Sequence, residues 1–540
     1  MSGYDSVLCD GDLKMMDWFC GAGGSSQGGH AVPGIFVGLA ANHWTKAIES
    51  HQANFPNTKH YMGDISAAPV HRWPVSQIFW ASPECTTWTQ ANGKIPNFKN
   101  EAQRTKWTEE EQRSRALMEE VPAYLRGVQD RGGLVLAGVV ENVVDVRGWS
   151  DFDAWVGEFH KMGYRTRLIA LNSMHVEPRA LARVPQSRDR LYLAYWHESL
   201  GRTPDWDKWL RPHAHCWSCD QDVQLVQIMK YSKKKKRQND MGRYGVKYGQ
   251  YYYRCPNTSC QATVEPPVVP AYAAIDWSLS GTPVGSRKDP LEEKTLARIV
   301  AGLEKFARPC PPMLVPSGGT WRDAAASVLD PMATRTGSES DALAVVPPLL
   351  VPNEGRDGKT ARPAHWPLRT QSGRQETGLA VMPFQPFITP MRGGGDAKKA
   401  YLTTAVPLHS VTAGGNHHGL ATPPGFSNEE WQAILAPYYS NGRARPISEP
   451  IGAITGTDRW ALAQQYAGQV DINDVLYRML EPHEIGLGMA FGADYVVIGS
   501  KRQRVKQYGN AVTPPAAEIL LCALVEAVNG VELDRFSLAA

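Results

Sequence analysis

Four cysteines stand in two short knuckles, "CWSC" at 216–219 and "CPNTSC" at 255–260. Each knuckle can place two thiolates on one ion, so Cys216, Cys219, Cys255 and Cys260 together read as the closed tetrahedral set of structural zinc. Protein ligands would fill every position, which excludes an open catalytic metal. The wider second knuckle has four residues between its cysteines, where two are commonest. A different cysteine, Cys85 in "ASPECTTWTQANG" at 81–93, offers different chemistry. An ionised thiol is a strong nucleophile, yet a lone cysteine is more often a small buried apolar residue. Taken alone, Cys85 fits either description.

Near the amino terminus, "MDWFCGAGGSS" puts a strand ending at Phe19 before Gly21, Gly23 and Gly24. That is a tight strand-to-helix turn where backbone can lie close against a ligand. The next strand ends in "AANHW" at 40–44, and a third ends in "YMGDI" with Asp64. A residue at the second tip and an acid at the third would reach the ribose and adenine of a nucleoside cofactor at the switch point of a parallel sheet. Between Lys230 and Arg254 stand nine basic residues and one acid, Asp240, with Tyr244, Tyr248, Tyr251, Tyr252 and Tyr253 among them. Basic and aromatic side chains suit phosphates and bases, so nucleic acid is the partner to test.

These residues need elements to hold them. At 540 residues the chain exceeds one compact core. Residues 1–200 alternate short apolar runs with helix-like stretches such as 101–129, which predicts strand-helix units and a parallel α/β sheet. Residues 201–275 hold the knuckles and the basic run, read as a zinc-ribbon-like insertion with a basic hairpin. Residues 276–307 read as linker and helix. Residues 308–465 are rich in proline and glycine, but they repeat. "DPMATRTGSESDALAV" (330–345), "WPLRTQSGRQETGLAV" (366–381), "VPLHSVTAGGNHHGLA" (406–421) and "PIGAITGTDRWALA" (450–463) share a proline, a threonine or serine, a polar turn and a closing apolar pair. Each follows a short apolar strand and a turn, as in "MLVPSGG", "LLVPNEG", "FITPMRGGG" and "YYSNG". Four copies of a small β module are expected. Residues 466–540 return to helical periodicity.

The longest apolar run, "ILLCALVEAV" at 519–528, is shorter than the ~20 residues of a membrane span, and no leader is evident. Nine cysteines, an odd number unevenly spaced, do not form a disulfide framework, so a reducing cell interior is expected.

In order and spacing, "FCGAGG" (19–24), "SPEC" (82–85), "ENV" (141–143), "QSRDR" (186–190) and "QRVKQYGNAVTPP" (503–515) resemble the DNA cytosine-5 methyltransferase family. The resemblance covers about 1–195 and 436–525. It implies a Rossmann-like class I methyltransferase domain, with residues 308–465 as a mainly β target-recognition domain and 466–540 folding back onto the first domain. It implies S-adenosylmethionine as cofactor, held by Phe19, Gly21, Gly23, Gly24, Asn42, His43, Asp64, Asn510 and Ala511. Cys85 would add to carbon 6 of cytosine, Glu141 would protonate nitrogen 3, and Arg188 and Arg190 would hold the base edge and orient acid and thiolate. Asn142 would fix the local backbone. The substrate would be duplex DNA with its target base flipped out, and the enzyme a monomer in the cytoplasm of a prokaryotic or phage-infected cell, without a membrane partner.

Three positions depart from the family pattern. Glu84 replaces a proline and stands beside the thiol, whose pKa a like charge raises. Thr86 replaces glutamine, and Asn42 stands where a glutamate is expected for the ribose. Two other readings stay open: the same fold acting on RNA, and a DNA-binding relative whose site has decayed at Glu84.

Overall fold

The structure, a computed structural model, describes residues 8–83, 109–230, 243–244, 251–269, 282–290 and 481–536, short pieces of 271–279, and a set of backbone strands between 313 and 479. Cys85, Glu84, Thr86 and the lysine-rich run 231–242 lie outside the described residues, as does most of the linker and helix expected over 276–307.

The first strands are β1 (Leu13–Trp18), β2 (Ile35–Asn42), β3 (Lys59–Met62), β4 (Ile78–Ala81), β5 (Ala137–Asn142), β6 (Tyr164–Asn172), a two-residue β7 (Gln186–Ser187) and β8 (Asp189–His197). All but β7 form one seven-stranded sheet in the order β3-β2-β1-β4-β5-β8-β6. The strands from β3 to β5 run parallel. Every side chain of β4 and β5 is buried, as expected for strands covered on both faces. The expected parallel sheet is therefore mixed: β8 runs antiparallel to both β5 and β6. No helical crossover joins β6 to β8, and only such a crossover returns a chain parallel.

Four helices accompany these strands: α1 (Gly24–His30), α2 (Thr45–Asn54), α3 (Glu109–Gln129) and α4 (Phe152–Lys161). After α5 (Trp206–Leu210), the carboxy-terminal part supplies α6 (Pro482–Gly488), α7 (Lys501–Asn510) and α8 (Pro514–Asn529). Helix α1, "GSSQGGH", has poor intrinsic propensity and forms because it is packed. A Cβ on Gly28 would lie 2.5 Å from the Pro514 carbonyl and 2.6 Å from Ala517 Cβ, so glycine permits this approach of α1 to α8. Prolines open α8, and Gly530 ends it at φ 69°. Its Ile519, Leu520, Leu521, Leu524 and Val525 are buried against β1, β4 and β5. Five such side chains contribute on the order of 10 kcal/mol before chain entropy is charged. The apolar run of 519–528 is thus a core helix of the seven-stranded sheet.

The cysteine-bearing insert contains β9 (His213–Cys216) paired with β10 (Gln221–Gln224), and β11 (Val226–Met229) paired with β12 (Tyr251–Arg254), both antiparallel. Leu225, fully buried, separates the two hairpins. Farther along, one backbone pattern recurs four times: Met313–Pro316, Leu349–Pro352, Phe387–Pro390 and Ile434–Pro437 each pair antiparallel with two later strands. In each unit the far strand closes a segment aligned by sequence repeat: Asp341–Ala344, Thr377–Ala380, His418–Leu420 and Trp460–Gln464. The last two units join one sheet, to which Leu476–Met479 adds a further strand. From the same region, Ile451–Gly452 pairs in parallel with β7.

Candidate active site

The glycine turn follows β1 directly. Phe19, Gly21 and Gly23 all adopt positive φ, at 59°, 53° and 95°. The glycines accept this freely, whereas Phe19 is held there by its surroundings. A Cβ on Gly24 would lie 2.0 Å from the Val512 carbonyl oxygen, so the turn and the carboxy-terminal segment meet backbone to backbone. Tyr495 donates to the Ala22 carbonyl at 2.5 Å. Beneath the turn, Asp17 Oδ2 accepts from Ser25 and Ser26, both at 2.6 Å. Ser26 Oγ meets His51 Nε2 at 2.9 Å, and His51 Nδ1 meets His60 Nε2 at 2.8 Å. Burial pushes the Asp17 carboxyl up to about 7 and holds His51 well below its ordinary value.

Asn42 and His43 stand at the end of β2. The Asn42 side-chain oxygen accepts from the Trp44 amide at 2.9 Å, starting α2, while His43 is exposed. Asp64, at the end of β3, likewise caps a short turn through the Ser66 amide at 3.1 Å and hydroxyl at 2.8 Å. Both tips lie on the carboxyl edge of the sheet near the switch between β1 and β4, where nucleoside cofactors bind in such sheets. Ala511 is buried and Asn510 exposed. The glycine cradle and these tips fit a bulky nucleoside with a charged tail.

The second half of the site gathers around β5 and β8. Glu141 is the fifth residue of β5, "AGVVEN", and is buried. Arg190 Nε lies 2.9 Å from Glu141 Oε1, with both side chains little exposed. Arg188, also buried, turns elsewhere: it donates to the carbonyls of Gly509 at 3.2 Å and Ala511 at 2.9 Å. The two arginines of "QSRDR" thus divide their work, one on the acid and one on the returning segment that closes the glycine turn. Asn142 donates to the Pro83 carbonyl at 3.4 Å, tying the loop after β4 to the end of β5. Cys85 follows Pro83 by two residues.

Asn172, at the end of β6, escaped the sequence reading. Its side-chain oxygen accepts from the Arg188 amide at 3.0 Å, and its nitrogen donates to Ser187 at 2.8 Å. A polar residue ending the apolar run "RLIALN" is the only local signal of this role. The sulfurs of Cys216, Cys219, Cys255 and Cys260 all lie within 4.8 Å of one another. Cys216 to Cys260 is 3.6 Å and Cys219 to Cys255 is 3.7 Å. Four thiolates ~2.3 Å from one zinc would stand ~3.8 Å apart, so the donor set fits. The residues after the knuckles, Asp220 and Gln261, both adopt positive φ, at 53° and 49°.

Residues 13–243 match the family model described as C-5 cytosine-specific DNA methylase. No curated protein matches the sequence. Similar solved structures include a mutant of Spodoptera frugiperda DNMT2, at 11% identity over 95% of this chain and 100% of that one, with a TM-score of 0.41. The Entamoeba histolytica methyltransferase EhMeth has 9% identity over 95% and 98%, TM-score 0.41. For the S. pombe Dnmt2 methyltransferase the figures are 17% over 34% and 50%, TM-score 0.26, so the chain spans half of that protein. The family match thus gives residues 13–243 as a domain of the C-5 cytosine-specific DNA methylase family.

Proposed function

We propose that the protein methylates carbon 5 of a cytosine flipped out of duplex DNA, through a transient bond between Cys85 and carbon 6. The observation that carries this reading is the Glu141–Arg190 pair, 2.9 Å apart in a buried site at the ends of β5 and β8. Asn142, the neighbour of Glu141, holds the Pro83 carbonyl, and Cys85 comes two residues later in the sequence. Carbon 5 is a weak nucleophile until the ring gains electrons. A thiolate adding to carbon 6 supplies them, and a proton shared between Glu141 and nitrogen 3 relieves the charge that builds on the ring. Arg190 keeps Glu141 oriented, and Arg188 holds the 509–511 segment against the site. S-adenosylmethionine would supply the methyl group and leave as S-adenosylhomocysteine, and loss of the carbon 5 proton with expulsion of the Cys85 thiolate from carbon 6 would restore the ring and the enzyme. Phe19, Gly21, Gly23 and Gly24 would line it, with Asn42, His43 and Asp64 at the nucleoside end and Asn510 and Ala511 closing the pocket.

Four cysteines would hold one structural zinc in the 201–275 insertion, and the repeated β units of 308–465 would read the DNA. The parallel pairing of Ile451–Gly452 with β7 supports that second role, since it joins the repeats to the "QSRDR" segment. The enzyme would act as a monomer in the cell interior, where a prokaryotic or phage genome is its substrate.

Expression in a host lacking cytosine methylation, followed by sequencing for 5-methylcytosine, tests the reading. Modified cytosines at a defined sequence are expected. Cys85→Ser is expected to abolish them while DNA binding persists; unchanged methylation would overturn the assignment. DNA carrying 5-fluorocytosine should trap the unaltered protein covalently and leave Cys85→Ser free.

A further inference from the structure

We propose that the cysteine-bearing insert is a positioning element for the active site, acting through Asp189, and that Tyr251 is its contact residue. This rests on the functional reading above for what the strand does, but the contact itself is independent of it. Asp189 stands between Arg188 and Arg190, and on a strand successive side chains leave on opposite faces. While the arginines serve Glu141 and the 509–511 segment, the Asp189 carboxylate faces the insert. Its Oδ1 accepts from the Tyr251 hydroxyl at 3.2 Å and from the Tyr244 amide at 3.1 Å. Tyr251 is fully buried in β12, and Cys255 follows that strand at once.

The grip extends to neighbouring strands. Gln227 on β11 donates to the Ala170 carbonyl of β6 at 2.7 Å. Ala170, Ala214, Leu225, Tyr251 and Tyr253 share one small core. The His175 ring lies against Tyr244 and Tyr253, with centroids 4.3 and 5.4 Å apart. Arg243 pairs with Asp145, three residues past the end of β5 that carries Glu141. The insert therefore holds the turn after the acid and the start of the arginine strand at once. An insert that only gathered DNA would need none of these contacts with the catalytic sheet.

Hydroxyl removal at Tyr251 keeps the ring and its packing, so Tyr251→Phe takes away only the hydroxyl's bonds to Asp189 and to the Asn172 backbone. In the full chain, amide exchange over 186–192 is expected to quicken at least tenfold. The kcat for duplex DNA should fall about tenfold or more, because small misplacements of reacting groups are costly, with KM for S-adenosylmethionine within twofold. Gln221→Ala, on the exposed start of β10, should change neither. Asp189→Ala should reproduce the kcat loss, and adding Tyr251→Phe to it should cost little more. Unaltered exchange over 186–192, or an unchanged kcat, in Tyr251→Phe would overturn the positioning role. Failure of the unaltered protein to methylate DNA would instead overturn the functional reading, and the exchange result would still decide the contact.

Discussion

At the scale of single residues, the chain under the glycine turn makes a prediction about pH. Asp17 Oδ1 accepts no hydrogen bond among the described residues, and burial raises the carboxyl from its ordinary 3.8 to about 7. A folded-state value above the unfolded one means stability is complete below pH ~4 and declines as pH rises through about 7. Asp17→Asn keeps an oxygen for Ser25 and Ser26 but has no proton to lose. It should therefore be more stable than the unaltered protein at pH 8, by at most about 4 kcal/mol, and the two should converge near pH 4. Urea titrations of the catalytic unit at both pH values check this; an equal offset at the two would refute the assignment. The glycine turn itself was legible in the sequence because "FCGAGG" concentrates the residues that tolerate positive φ. The division of labour between Arg188 and Arg190 was not. Which way each guanidinium turns depends on tertiary partners, the carbonyls of Gly509 and Ala511 for Arg188 and the acid of an earlier strand, Glu141, for Arg190.

Among elements, α1 shows packing overriding propensity. A Gly→Ala change in a helix interior favours the helix by about 1 kcal/mol. At Gly28 the added Cβ would meet the Pro514 carbonyl at 2.5 Å and the Glu518 amide at 2.9 Å, backbone atoms that cannot swing aside. Gly28→Ala is expected to destabilise by about 2 kcal/mol net, since overpacking outweighs propensity. Gly157 in α4 has nothing within 4 Å of its would-be Cβ, so Gly157→Ala should stabilise by about 0.5–1 kcal/mol. Thermal melts of the pair would expose an error if both moved the same way. From sequence, the apolar runs of β1, β4, β5 and β8 announced themselves, as did a helix within 101–129, of which Glu109–Gln129 is described. Helix α1 did not, because "GSSQGGH" has neither periodicity nor propensity. Nor did the direction of β8, since periodicity carries no sign.

On the scale of the whole molecule, three distant segments converge on one sheet: the amino-terminal 200 residues, the insert and the carboxy-terminal helices. The cysteine spacing made the insert visible in advance, but its docking through Tyr251 depends on tertiary register and left no mark in the sequence. Zinc should copurify at about one ion per chain, and Cys216→Ser should remove it. With the ion gone, the insert is expected to lose proteolytic protection while the helices of the catalytic sheet keep their circular dichroism. Loss of the whole fold would show the insert to be essential to the core.

The burial of α8 has a consequence for synthesis. Its side chains complete the core of β1, β4 and β5, yet Ile519 leaves the ribosome more than 300 residues after β8 ends. At ~5–20 residues per second, the nascent sheet waits roughly 15–65 s with an apolar face uncovered. Throughout that interval the uncovered face would suit chaperone binding, and the glycine turn gains its backbone packing only when the last segment arrives.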